Sequence, residues 1–411
     1  MKRIMLLTLA VLLAFVPALA SAEAALTIET WRPDDTDQWN QILAAYKAVV
    51  PDVTLTYEGI TSKDYNATLR TQLDAGKGPD IIMARSYATG EDLYAQGYLG
   101  DCSDIAGMSE FFAASSLEPW TAADGAQFAV PVAAVSHGVY YNKEIFAELG
   151  LSVPQTFEDF LATCQTLKDA GYTALGNGVA DEWDILECFF FGMLPNYVGG
   201  AEERAKYESG EKAFTDADFV AALADIQKIA PYLPDSYTSV TNTDSNTLFA
   251  IGRTAMYVDG SWSSGPMDDP ETGAAFDWGV FAIPAPEGKS TRICFHPDFA
   301  MTYNTASAYP EEAKAFLAWL VSKEAAPIVA NLLPGGFYPM VNYEVTLENP
   351  HANEFLALNA GKELDARFVW AKMMDLYVPM NQEVISLLAG TTTPEGSAAT
   401  IQAAYEAMMA K

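Results

Sequence analysis

The chain has 411 residues, half of them hydrophobic and 19% charged, with 54 Asp and Glu against 23 Lys and Arg for a net charge of −31. That size and composition suit two or three domains with a large core and rule out a disordered chain. The acidic excess argues against nucleic acid or an anionic membrane surface as main partner; three His and four scattered Cys offer little for a zinc centre or a cysteine-dense scaffold.

Residues 1–22 read as an export signal. Lys2 and Arg3 precede an apolar run from Ile4 to Val16, Pro17 breaks it, and Ala20-Ser21-Ala22 supplies a cleavage site before Glu23. The first cysteine is Cys102, so no lipid-anchor cysteine follows the cut. The expected product is soluble and periplasmic. Export permits disulfides, and Cys164–Cys188 is the favoured pairing; four buried free thiols among Cys102, Cys164, Cys188 and Cys294 fit equally well.

Leu26 to Trp31 alternates as a strand, and Asp34 to Asp37 offers helix caps. Trp39, Ile42, Leu43, Tyr46, Val49 and Val50 follow at helical spacing up to Pro51. Val53, Leu55 and Tyr57 form a second strand, Tyr65, Leu69 and Leu73 one face of a second helix, and Ile81-Ile82-Met83 a third strand. This β-α-β-α-β order predicts a parallel sheet with helices on its faces. Further strands are expected at Val135–Tyr141, Thr254–Val258, Trp278–Ile283 and Phe299–Tyr303. Thr156 with Asp159 and Thr215 with Asp218 read as capping boxes. Helices dominate residues 183–251, and Pro310 opens a helix carrying Phe316, Leu317 and Leu320. The pattern predicts two α/β lobes, with the strands near 130–140, 276–283 and 299–303 as hinge crossings. The expected division is 23–132 plus 284–332 for the N-terminal lobe and 133–283 plus 333–411 for the C-terminal lobe.

In open α/β sheets, ligands sit beyond the carboxyl ends of the strands. That selects Trp31, Arg32, Asp34 and Asp35, then Glu58 and Gly59, then Arg85, Ser86 and Tyr87. Rings stack on the C–H face of a sugar, while carboxylates and arginines fork onto its hydroxyls. Each residue has a plainer alternative: a core ring for Trp31, a helix cap for Asp34 or Asp35, a surface ion pair for Arg85. Aromatics in polar or glycine-rich loops add Trp183, Trp262 and Phe337, and His296 and Asp298 precede a strand. His137 fits a structural or hinge position, and Trp370 fits the core.

The chain resembles the extracytoplasmic solute-binding proteins of carbohydrate ABC transporters, the group containing maltose- and oligosaccharide-binding proteins. The resemblance rests on Gly78-Pro79-Asp80-Ile81-Ile82, on Gly138 to Phe146 with Gly150-Leu151 and the Pro154–Asp159 segment, and on Ala255-Met256 with Gly260-Ser261-Trp262. It implies a two-lobed, type II-like periplasmic-binding-protein fold that closes on a mono- or oligosaccharide and presents it to a membrane permease. Trp31, Trp183, Trp262 and Phe337 would stack; Asp35 and Arg85 would bind hydroxyls. Phe157 departs from the family pattern, which has Trp there, and Arg292 to Asp298 replaces a glycine-rich stretch.

On this reading the protein is a monomer, not an enzyme, and carries no cofactor or metal. One alternative is a secreted glycoside hydrolase, which needs two facing carboxyls, Glu182 and Asp184 being the nearest candidates. The other is a receptor for a non-sugar solute such as a polyamine, held by aromatic rings and acidic charge. No phosphate-binding GxxxxGK[ST] loop or GxSxG elbow occurs.

Overall fold

The computed structural model describes residues 23–410; the expected export signal lies outside the described residues. The strands are β1 (Ala24–Thr30), β2 (Val53–Gly59), β3 (Ile81–Ala84), β4 (Val130–Asn142), β5 (Thr173–Leu175), β6 (Thr254–Gly260), β7 (Trp278–Phe281), β8 (Ile293–Tyr303), β9 (Tyr338–Pro339) and β10 (Leu364–Asp365). They follow the order β2-β1-β3-β8-β4-β6-β5, with β7 and β9 beside β4 and β10 beside β8. β1 runs parallel to β2 and β3, as the βαβαβ pattern requires.

The first helix, Thr36–Val49, buries Trp39, Ile42, Leu43 and Tyr46, one stripe at 3.6-residue spacing. Val49 keeps that spacing, seven residues after Ile42, but it is the last residue of the helix and is exposed. Helix Ser62–Asp74 buries Tyr65, Leu69 and Leu73 as expected. Thr156 and Asp159 form the predicted capping box on helix Phe157–Asp169. The second expected box is absent. Helix Ala217–Gln227 starts after Asp216 with no side-chain cap, and Asp218 instead accepts a hydrogen bond from Lys289 Nζ at 2.7 Å. A capping box occurs at Thr241 and Asp244.

Two strands run longer than their patterns showed, and they organise the molecule. β4 is antiparallel to β8 from Val130 to Ser136, then antiparallel to β6 from His137 to Tyr141. β8 pairs β3 at one end and β10 at the other. Both strands therefore pass between the two halves. β7 does not: it pairs only with β4, at Val139–Asn142, inside the second half, because its partner segment lies wholly beyond the switch at His137. One apolar core gathers residues up to Val135 with Phe299, Phe316 and Phe337; a second draws on residues between Val139 and Ile283 and from Phe368 onward; a third, smaller one holds Tyr140, Tyr257, Trp278, Tyr338 and Phe355. All four cysteines are buried and free, so the Cys164–Cys188 pairing is not formed. Cys164 packs in the second core, while the Cys188 thiol donates to Asp259 Oδ1 at 3.4 Å.

The motifs behind the family resemblance do local structural work. Asp80 accepts from the Thr27 N–H at 2.9 Å and from Ser307 Oγ at 2.6 Å, fastening β1 to the loops beside it. Asn142 caps helix Lys143–Glu148 by accepting from the N–H groups of Glu144 and Ile145. Phe157, which stands in place of a tryptophan, is fully buried against Phe160.

Candidate ligand-binding site

From the first half, Trp31 follows β1 and Arg85 follows β3. The Arg85 guanidinium lies 3.7 Å above the Trp31 ring, a cation–π contact. Trp31 is edge-on to Phe299 at 6.2 Å, and Phe299 to Phe337 at 5.7 Å. Arg32 stands 4.9 Å over Phe337 and is held by Asp35 through hydrogen bonds of 2.6 and 2.9 Å. Asp35 therefore neither caps the helix nor stands free: it orients an arginine.

From the second half, β6 delivers the Ser261–Ser263 turn that carries Trp262. Trp262 is edge-on to Trp183 at 5.9 Å and to His137 at 5.6 Å. His137 is edge-on to His296 at 5.2 Å, and His296 lies 5.9 Å from Trp370. Arg367 sits 4.5 Å over Trp370 and 5.8 Å from Trp262, and pairs with Glu187 at 2.6 Å. Tyr377 donates its hydroxyl to the same glutamate. Glu187 faces this way from a π-helical stretch, Asp184–Phe190, a wide turn frequent at functional sites. The two halves meet here, since Trp262 and Cys188 share one apolar cluster with Trp31 and Phe337.

Burial sets the charges. It pushes His296 down to about 4, helped by Arg367 and opposed by Asp298. His137 falls well below its ordinary value through burial, then His296 and Arg367, with the nearby carbonyls of Glu187 and Cys188 acting the other way. Both imidazoles are neutral at pH 7. Burial works against the Asp298 charge, yet His296, Arg367 and Arg85 together hold its pKa below the ordinary value. Among the described residues, sixteen buried side-chain polar atoms have no hydrogen-bond partner. Six are here: both nitrogens of His137 and of His296, Nε of Arg367 and Nε1 of Trp370. Buried polar groups are ordinarily paired, so these six atoms are open to a partner that the chain itself does not supply.

The structure thus brings together Trp31, Arg85, Trp183, Trp262, His296, Asp298 and Phe337, with Asp35 behind Arg32. It leaves out Asp34 and Glu58, which are exposed; β2 is the edge strand, and Glu58 projects opposite to the buried Tyr57. Tyr87 departs too. At φ 55 it is the one described non-glycine residue in the left-handed region, and it packs on the second core with Arg204 and Asp365 in its field. Glu182 is exposed, whereas Asp184 is fully buried and accepts from Asn177 Nδ2 at 2.9 Å and Ser245 Oγ at 3.2 Å. They do not face one substrate as a hydrolytic pair. Sequence reasoning missed Glu187 and Arg367, which carry no motif; Trp370 lies in the second apolar core as expected and also borders the site.

Asp184 gives a pH prediction. Burial, then the neighbouring Asp259, raises its pKa to about 8. An unfolded Asp ionises near ~4, so between about pH 4 and 8 the native state holds the extra proton and stability falls as pH rises. Asp184→Asn should flatten that decline in urea melts; an unchanged pH slope would refute the assignment.

Backbone fit also matters. Gly336 has φ +93, and a Cβ there would lie 1.9 Å from the Ser261 carbonyl oxygen, beside both Trp262 and Phe337. Gly336→Ala should cost about 1–3 kcal/mol of stability, because the obstacle is backbone. A melting curve matching the parent would count against this.

Residues 32–327 match the bacterial extracellular solute-binding protein family, and the chain belongs to it. It is 26% identical over 305 residues to an uncharacterized ABC transporter extracellular-binding protein of Pyrococcus horikoshii, covering 72% of this chain and 68% of that one. The diacetylchitobiose binding protein DasA of Streptomyces coelicolor is 26% identical over 320 residues, covering 74% and 71%. A chitin oligosaccharide binding protein of known structure has a TM-score of 0.83 at 22% identity, covering 95% of this chain and all (100%) of that one. The solute-binding protein RafE in complex with raffinose gives 0.78 at 20%, covering 94% and 99%. These structures share the mixed α/β two-lobed fold.

Proposed function

We propose that this protein is the capture component of a carbohydrate ABC importer, taking a mono- or oligosaccharide between its lobes and handing it to a membrane permease. The observation that carries this is the coincidence of a cluster of edge-to-face aromatic rings with six unpartnered buried polar atoms. Rings meet the apolar face of a pyranose, and its hydroxyls, which both donate and accept, suit neutral imidazoles and arginine. The relatives named for diacetylchitobiose and raffinose support the same solute class. The Arg85 guanidinium already lies over the face of Trp31, the place a polyamine ammonium would take.

In this mechanism one lobe binds the solute first and the second closes by bending β4 and β8 where β4 changes partner. Closure follows because the closed form makes contacts that the open form lacks. The lobes follow the two larger apolar cores, so Leu333 and Phe337 belong with the first lobe rather than the second. The chain works as a monomer in the periplasm after cleavage before Glu23, and it performs no catalysis.

Calorimetry against mono-, oligosaccharides, a polyol and a polyamine tests this. A saccharide should bind at micromolar affinity or better, about −8 kcal/mol. Binding of the polyamine alone, or turnover of a bound oligosaccharide, would overturn the proposal.

A further inference from the structure

The sequence places its three histidines far apart, which argues against a metal centre. The fold reverses that for two of them. β4 and β8 are antiparallel with Val135 opposite His296 and Ser136 opposite Phe295. Continuing that register sets His137 opposite Cys294. Cys294 and His296 are two residues apart on one strand, so they share a face. All three are buried, and one donor atom from each lies within 4.8 Å of the other two.

We propose that His137, Cys294 and His296 form a binding site for a thiophilic transition-metal cation of the zinc class. This goes beyond solute capture and does not depend on it. Three observations carry it. The donor set is mixed imidazole and thiol, the set zinc and its soft neighbours prefer over magnesium or calcium. No imidazole nitrogen of the pair makes a hydrogen bond of ordinary length and angle, although the Cys188 and Glu187 carbonyls lie near His137 and the Asp298 carboxylate near His296. Finally, Asp298 Oδ1 lies 3.6 Å from His296 Nε2, which sets a carboxylate beside one of the ligand rings.

Zinc–nitrogen bonds of about 2.0–2.1 Å and a zinc–sulfur bond of about 2.3 Å set tetrahedral donors about 3.3–3.6 Å apart; these three lie within 4.8 Å of one another, so the rings need to swing inward by no more than about 1 Å. Binding forms a Zn–S bond and releases the Cys294 proton to solvent. Arg367 and Arg85 oppose a cation here, and Asp298 and Glu187 offset them. With three protein ligands a fourth position stays open, as in sites that admit water or a guest. Because His296 also faces the solute patch, ion and sugar should compete.

The test uses the full chain stripped with a chelator. Titration with Co2+ should give one saturable equivalent and a thiolate-to-cobalt charge-transfer absorption. Zn2+ should displace the cobalt with the same stoichiometry. Cys294→Ser should abolish the band, and His137→Gln should weaken Zn2+ by at least about tenfold. Cobalt binding without a thiolate band would overturn the proposal, assigning the ion to the acidic surface. That parental spectrum decides even if a variant misfolds. A band that persists in Cys294→Ser, or no saturable binding, would overturn it too. Sugar binding without zinc binding defeats this inference alone; zinc binding without any sugar defeats the proposed function alone.

Discussion

Replacing Trp262 with alanine is expected to weaken saccharide binding by about 2–4 kcal/mol, roughly 30- to 1,000-fold. Three features single this ring out. It is only 9% exposed, so a guest that touches it is largely removed from water. It stands between Trp183 and His137, which hold its plane. Its place is set by Gly260, where a Cβ would lie 2.0 Å from the indole. Truncation removes the stacking surface and lets water reach the neighbouring imidazoles. Trp262→Phe should keep most of the affinity, since a ring remains to stack. Calorimetry of both variants, after circular dichroism confirms folding, reads the result. Equal affinities for parent and Trp262→Ala would place the stacking platform elsewhere.

The largest effect on stability should come from Arg367→Met. The arginine side chain is 4% exposed and its partner Glu187 is 8% exposed. Removing one member of a buried pair leaves the other charged and desolvated, at a cost of about 3–5 kcal/mol. Asp298 loses a stabilising neighbour at the same time. The double variant Arg367→Met/Glu187→Gln should recover most of the loss, because no lone charge remains near Tyr377. Urea unfolding of the parent, both singles and the double forms a complete cycle. If the double variant is no more stable than Arg367→Met, the penalty is a packing defect. Arg367→Lys should fall between, keeping charge but losing the planar stack on Trp370.

What the sequence disclosed follows a physical divide. Periodicity reports local burial, so the βαβαβ start and the stripes on helices Thr36–Val49 and Ser62–Asp74 were legible. Loop aromatics placed after strands led to Trp31 and Trp262, and the structure puts both in one cluster. Asp35 was legible as important, but its bond to Arg32 was not, since helix caps and ion pairs use the same residue type. β8 is legible only from Phe299 onward because His296, Pro297 and Asp298 interrupt the apolar alternation; His296 and Asp298 face the site, while Phe295 packs on Tyr338. Glu187 and Arg367 are 180 positions apart in sequence, and a pair at that separation leaves no local trace. The histidine–cysteine cluster was invisible for the same reason: strand pairing alone brings His137 to Cys294.

The long partnership of β3 with β8 bears on how the polypeptide is made. Ile81 pairs with Tyr303, so a chain emerging from the ribosome carries an unmatched β3 flank until more than two hundred further residues have been added. The first hydrophobic nucleus also waits for Phe299, Phe316 and Phe337. A nascent chain stalled between β6 and β8 would display an open strand edge beside incomplete apolar surface, conditions that favour aggregation. The first core is thus complete only once Phe337, late in the chain, has been added.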